Sequence, residues 1–159
     1  MAMDLSGVTA STGGSDRPEA KGYTGVITKI EQSTSKAGNP MVVISVNIAE
    51  GPFVGYFKYD FRQFITIGDE AGLSRLKGEF KKIIEENKVA FPNGIADVDW
   101  ANFEETALIG MKIGMVLKWG DRGYLELHYL ETIEKALSKK PTAKPEAPVI
   151  GDNGEGGLF

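Results

Sequence analysis

The apolar residues of this chain change their spacing twice, and the order of those changes restricts the folds open to it. Between Met41 and Ile48 every second residue is β-branched and apolar, which predicts a strand with one buried face. Between Asp69 and Lys88 the spacing becomes three or four residues, which predicts one face of a helix. The residues of that helical stripe are Leu73, Leu76, Phe80, Ile83 and Ile84. Beyond Gly110 the strand-like pattern returns.

Five strands are predicted in all, with helical segments between the third and the fourth. The predicted strands span residues 23–31, 41–48, 53–61, 111–119 and 124–130, and the last two are joined by a predicted turn at Gly120-Asp121-Arg122-Gly123. A second, shorter helix is predicted from Asp99, a suitable N-cap, to Gly110, a suitable C-terminal stop. The fold class is therefore mainly β with a helical insertion. The arrangement that fits this order is an OB-like five-stranded antiparallel barrel with helices between strands 3 and 4.

Composition divides the chain into three zones. Residues 1–20 are small and polar and are predicted to be a flexible N-terminal arm. Residues 21–137 hold nearly all aromatic and β-branched residues and form the predicted domain, whereas residues 138–159 are predicted to be a disordered acidic tail. The chain has no cysteine, no apolar run of membrane-spanning length and no signal-peptide pattern. We therefore expect a soluble, cytoplasmic protein that is not exported.

Catalytic and metal-binding patterns are scarce. The single histidine, His128, lies inside the last predicted strand, where a structural position is more common than a catalytic one. No group of His, Asp and Glu has metal-ligand spacing, and no glycine-rich segment has the phosphate-loop pattern. An enzyme is not expected, and neither a metal nor a cofactor is implied.

Binding features are more informative than the net charge of −4, which by itself argues against a nucleic-acid ligand. A local groove can be basic in an acidic protein, and single strands are held by basic residues interleaved with aromatic faces. The third predicted strand places Phe53, Phe57, Tyr59 and Phe61 on an inner face and Tyr56 on the outer face, next to basic residues. The predicted DNA-binding residues are Lys29, Lys36, Tyr56, Lys58, Arg62, Lys112, Lys118, Trp119, Arg122 and Tyr124.

The end of the chain forms a separate candidate site. Asp152, Glu155, Leu158 and Phe159 combine negative charge with a terminal aromatic residue after a glycine spacer. Such a peptide suits an apolar pocket with a basic rim that also captures a carboxylate. We expect these four residues to bind a partner protein.

Two segments resemble a known family. Tyr23-Thr24-Gly25-Val26-Ile27 with Ser35 to Met41, and later Leu108 to Leu117, resemble phage and prophage proteins found among replication and recombination genes. The resemblance implies single-stranded DNA binding by an OB-like core. The tail is similar to the acidic tip of bacterial single-stranded DNA-binding proteins, although Leu158 replaces the proline of that tip and glycines dilute its acids.

The leading hypothesis is thus sequence-tolerant binding of single-stranded DNA in phage replication or recombination, with replication or recombination proteins recruited by the tail. Assembly into a homo-oligomer is compatible with it. The alternative is an OB-like adaptor or phage assembly component that contacts only proteins, which the acidic net charge favours. A DNA-processing enzyme is the third hypothesis, and the missing acid–base or metal cluster argues against it.

Overall fold

The computed structural model describes residues 2–4, 6 and 17–144. Its regular elements are five strands and two α-helices, namely β1 (Gly22–Thr34), β2 (Pro40–Ile48), β3 (Phe61–Thr66), α1 (Glu70–Glu86), β4 (Lys112–Trp119), β5 (Leu125–Glu131) and α2 (Ile133–Leu137). The prediction of a mainly β fold with a helix between the third and fourth strands is confirmed. No helix in the described residues is long and apolar enough to cross a membrane.

All five strands belong to one antiparallel sheet in the order β3-β2-β1-β4-β5. β1 is central and pairs with β2 on one side and β4 on the other. Its register against β2 shifts between Ile27 and Lys29, which marks a β-bulge. The sheet is open, because no backbone hydrogen bond joins its edges β3 and β5 in the described residues.

The main core lies between one face of the sheet and α1. The alternating residues of β2 are buried on this face, as predicted, and pack with Leu76, Phe80, Ile83 and Ile84 of α1. Asp69 caps α1 by accepting a hydrogen bond from Gly72 N. Leu73 was expected in the buried stripe but is exposed, since it lies in the first turn of the helix and outside the core cluster.

The short helix α2, which the sequence did not predict, packs on the opposite sheet face, here called the outer face. Gly22 of β1 and Gly114 of β4 let it approach closely, because a Cβ at either residue would overlap atoms of Ala136. Thr132 caps α2 through a hydrogen bond from Lys135 N, and Glu86 of α1 accepts a hydrogen bond from Ile133 N. With five residues, α2 is too short to show a helical period in the sequence.

The third strand was predicted too early. Residues 53–60 form turns and bends, and β3 begins only at Phe61. Gly51 and Gly55 both have positive φ, and Tyr56 N donates to Phe53 O at 3.0 Å, so the chain turns where continuous strand was expected. Phe53, Phe57 and Phe61 still pack against the core, whereas Tyr59 is exposed.

The second predicted helix is also wrong in type. Residues 94–108 contain three short 3₁₀ turns, at Gly94–Asp97, Trp100–Asn102 and Glu105–Leu108. Asp99 does cap the middle turn by accepting a hydrogen bond from Ala101 N, and Gly110, with positive φ, ends the segment. Phe103 packs against Phe80 of α1 with tilted rings, and Trp100 packs against Phe103, so side-chain contacts hold this segment on α1.

Candidate nucleic-acid interface

The register of β1, β2 and β3 brings two predicted basic residues into one row on the outer face. Lys29 lies opposite Ser45, and Ser45 lies opposite Arg62. Neighbouring strands are about 4.8 Å apart, so Lys29 and Arg62 are roughly 10 Å apart along the row. Phe64 lies on the same face, opposite Val43. Lys29 forms an ion pair with Glu31 at 3.3 Å. Arg62 forms no ion pair within the described residues.

The loop before β3 adds aromatic side chains beside that row. Asp60 anchors this loop by accepting hydrogen bonds from Thr28 Oγ1 at 2.7 Å and from Asn47 Nδ2 at 3.0 Å. Its neighbour Tyr59 is 84% exposed. Because the anchor uses side chains of β1 and β2, it holds an exposed phenol ring next to the outer face of the sheet.

Tyr56 and Lys58 lie in the same loop and are exposed. Tyr56 belongs to a series of edge-to-face ring pairs that links it to Phe53 and to Phe57. One side of its ring is thus supported by packing while half of the residue stays accessible. A half-exposed ring that is held in place by its neighbours is a candidate platform for base stacking.

A groove of about 520 Å³ joins β3 to β5 at the open side of the sheet. Tyr59, Arg62 and Phe64 line one side, and Leu125 and Leu127 line the other. We call this the edge groove. No pattern in the sequence indicated that Arg62 and Phe64 lie close to residues 125–127. The curvature of the sheet brings the two segments together.

The backbone of both groove walls is unpaired across the gap. Ile67 N donates to Pro40 O at 3.0 Å, so in the alternating pattern of antiparallel pairing the N–H and C=O groups of Arg62 and Phe64 face away from β2. Gly120 N donates to Tyr124 O at 2.8 Å, and the same alternation turns the groups of Leu125 and Leu127 away from β4. The edge groove therefore offers backbone donors and acceptors as well as rings.

Two loops border the sheet where the sequence analysis expected ligand contacts. Lys36 lies exposed in the loop between β1 and β2, and Arg122 lies exposed in the turn between β4 and β5. Gly123, with positive φ, forms that turn as predicted. Tyr124 follows it and is 73% exposed, directly before the Leu125 wall of the edge groove.

Lys118 and Trp119 lie in a different place. They line a second pocket of about 310 Å³, together with Lys21, Lys139 and Lys140. The Trp119 indole N–H donates to Thr142 O at 2.9 Å, and Lys144 Nζ lies 5.5 Å from its ring centre. The indole is thus covered on one side by the segment after α2, in contrast to the open rings of Tyr59 and Tyr124.

The remaining residues singled out in the sequence are Lys112, His128 and the four residues of the tail. Lys112 is neutralised by an ion pair with Glu50. His128 is exposed on β5 and borders the second pocket. Among the described residues no three His, Cys, Asp or Glu side chains are placed to hold a metal ion. Asp152, Glu155, Leu158 and Phe159 lie outside the residues that the structure describes.

Sequence reasoning missed Lys139 and Lys140, because they stand at the start of a segment predicted to be a solvated tail. Thr142 N donates to Ala20 O at 2.8 Å, which holds this segment beside β4. The only sign of a basic site in this part of the sequence is that two lysines are adjacent. No protein-family model matches the chain and no curated protein matches it, so the resemblance to phage DNA-binding proteins stays a prediction from its sequence segments.

Proposed function

We propose that this chain is a sequence-tolerant single-stranded DNA-binding protein of phage replication or recombination. The observation that carries the proposal is the edge groove, where the exposed rings of Tyr59 and Phe64 stand beside Arg62. Stacking of a base on an aromatic side chain tolerates every sequence, since each base has a π-face, and a guanidinium binds the phosphate between two bases.

The proposed fold is an OB-like barrel that is open between β3 and β5. The sheet order supports this, because contact between its two edges would close the sheet into a barrel. The ligand face of such barrels is formed by strands 2 and 3 and by the loops that join strands 1 to 2 and 4 to 5. Arg62, Phe64, Lys36 and Arg122 occupy the corresponding elements of this chain.

The tail completes the proposal. Residues 145–159 contain three acids and no base, whereas residues 21–144 contain 17 lysines and arginines and 16 acids. An acidic segment repels DNA and suits a basic protein pocket. We therefore assign Asp152, Glu155, Leu158 and Phe159 to recruitment of replication or recombination proteins rather than to DNA. Deleting residues 151–159 should abolish capture of such a partner while the domain still binds DNA.

The decisive experiment is fluorescence anisotropy of a labelled oligo-dT of about 30 nucleotides, single-stranded and as a duplex, at two salt concentrations. Base stacking contributes about 1–3 kcal/mol per base, so Phe64→Ala should weaken single-strand binding by about 5- to 150-fold. Arg62→Gln should lower the slope of log affinity against log salt by about 0.7.

Leu73→Ala is the matched control. Leu73 is 51% exposed and Phe64 is 53% exposed, but Leu73 lies on α1 and away from the edge groove. Its substitution should leave DNA affinity unchanged. Absence of single-strand binding by the unaltered protein at low salt, or equal losses in the two variants, would refute the proposal.

A protein–protein adaptor is the second candidate. The unpaired backbone groups of β3 and β5 favour it, since an extended peptide can add to a free strand edge. The same anisotropy assay separates the two functions. An adaptor would show no affinity for the oligonucleotide at low salt, and Phe64→Ala would then weaken only a protein complex.

A further inference from the structure

The second pocket, here called the lysine pocket, lies on the outer face of β4 beneath the segment that follows α2. Val116 and Leu117 form part of its lining and are buried, and Trp119 forms one wall. Residues 139–143 border it on the solvent side, held by the bond from Thr142 N to Ala20 O. Its volume of about 310 Å³ is within the range of small-ligand sites.

Its charge is one-sided. Lys21, Lys118, Lys139 and Lys140 all border the pocket, and none of them forms an ion pair within the described residues. The nearest carboxylate in the strand register is Glu126, opposite Lys118, and it is not within ion-pair distance of that lysine. Like charges around one cavity repel each other, and a bound anion would offset that repulsion. Two of the ammonium groups also lie over tyrosine rings, Lys21 Nζ at 5.3 Å from the ring centre of Tyr23 and Lys139 Nζ at 5.8 Å from that of Tyr129.

The combination of an apolar lining and a cationic rim selects among anions. A free inorganic anion would leave Val116 and Leu117 without a contact. A nucleotide matches both parts, because its flat base fills an apolar slot while its phosphate meets the lysines. The indole N–H of Trp119 is already bound to Thr142 O, so Trp119 serves as a wall for the base and not as a hydrogen-bond donor to it.

The pocket is separated from the edge groove only by β5. Leu125 and Leu127 border the groove, and the next residue, His128, borders the lysine pocket. β4 and β5 are adjacent strands, about 4.8 Å apart. A polyanionic strand leaving the groove therefore crosses a single strand of the sheet to reach the pocket lysines.

We infer that the lysine pocket is a second contact for single-stranded DNA, taking one nucleotide of a strand that continues over β5 from the edge groove. This inference rests on the proposed function and extends it from one site to a path. It assigns phosphate contacts to Lys139 and Lys140, and it predicts that long oligonucleotides bind through both sites while short ones fill only the groove.

The test compares oligo-dT of about 30 and about 8 nucleotides by anisotropy over a salt series. The double variant Lys139→Gln/Lys140→Gln should lower the salt slope for the long oligonucleotide by about 1.4, two phosphate contacts at about 0.7 each. Its affinity for the short one should stay within twofold of the unaltered protein. Lys118→Gln, made as a separate variant, should lower the salt slope for the long oligonucleotide by about 0.7, the value of one phosphate contact.

The control is Arg75→Gln/Lys81→Gln, which removes the same charge from exposed positions of α1 and should leave the slope unchanged. Thermal melting should be alike for all variants, since both pocket lysines are exposed. If the unaltered protein binds DNA and the double variant has its full slope, the lysine pocket is not on the path and the edge-groove proposal stands. If the unaltered protein binds no single strand, both proposals fail.

A labelled peptide of residues 145–159 tests the other macromolecular ligand. If the double variant loses affinity for this acidic peptide and keeps the full DNA slope, the pocket is a peptide site and the inference is overturned. If DNA binding falls as expected and the peptide does not bind, the lysines serve the nucleic acid.

Discussion

Substitution of Gly22 by alanine should detach α2 from the sheet. A Cβ at this position would overlap the backbone carbonyl group of Ala136. A Cβ at nearby Gly114 would lie 2.6 Å from the Ala136 side chain, so α2 is closely packed at both glycines. Backbone atoms cannot avoid the clash by changing rotamer, so the helix must shift as a unit. Overpacking of this kind costs about 1–3 kcal/mol, and we expect the upper end of that range.

Urea denaturation followed by circular dichroism measures this loss. For a domain of this size about 3 kcal/mol corresponds to a fall in Tm of roughly 10 °C. Gly78→Ala is the control, because a Cβ at Gly78 of α1 meets no atom within 4 Å. Alanine favours a helix over glycine by about 1 kcal/mol, so this control should stabilise the protein. A Gly22→Ala protein as stable as the unaltered one would refute the close packing of α2.

Two further predictions concern polar groups in or beside the core. Burial raises the pKa of Tyr23 above its usual value of 10, and its hydroxyl donates to Glu19 O at 2.7 Å. The folded state therefore favours the neutral phenol, so the free energy of unfolding in urea should fall as the pH rises above about 10. Tyr23→Phe should remove that fall and should cost about 1 kcal/mol of stability at neutral pH. Lys82→Met should lower the free energy of unfolding by about 2–3 kcal/mol in the same assay, because Lys82 Nζ donates hydrogen bonds to buried Glu79 at 3.2 Å and to Leu130 O at 3.1 Å. Adding Glu79→Gln should restore part of that stability, since it removes the buried charge left without a partner.

The elements that sequence reasoning predicted correctly are those that local chemistry decides. The alternation in β2 placed Val42, Ile44, Val46 and Ile48 on the core face, and all four are buried. The turn at 120–123 followed from its glycines, and Asp69 was placed at the start of the long helix. Each of these depends on residues within one turn or one strand of each other, so no tertiary information was needed.

The errors come from residues whose conformation depends on distant partners. Aromatic residues between Phe53 and Phe61 have high strand propensity, but Gly55 takes a positive φ and Asp60 is bound by Thr28 and Asn47 from other strands. The candidate site shows the same limit. Single basic and aromatic residues were identified by type, whereas the position of Phe64 and Leu125 on the two sides of one groove depends on how the sheet curves.

Charge illustrates why the whole-chain value of −4 does not exclude a nucleic-acid ligand. Residues 21–144 are almost balanced, with 17 basic and 16 acidic residues, so attraction to phosphate must arise from placement. At 0.1 M salt a charge is screened within about 10 Å, so a bound strand responds only to nearby groups. The lysine pocket brings together four lysines without ion pairs in the described residues, while Asp97, Asp99, Glu104 and Glu105 occupy the 3₁₀ segment before β4. A domain with no large net charge can thus present a cationic surface to DNA, and the slope of log affinity against log salt should then rise by about 0.7 for each phosphate contact that this surface makes.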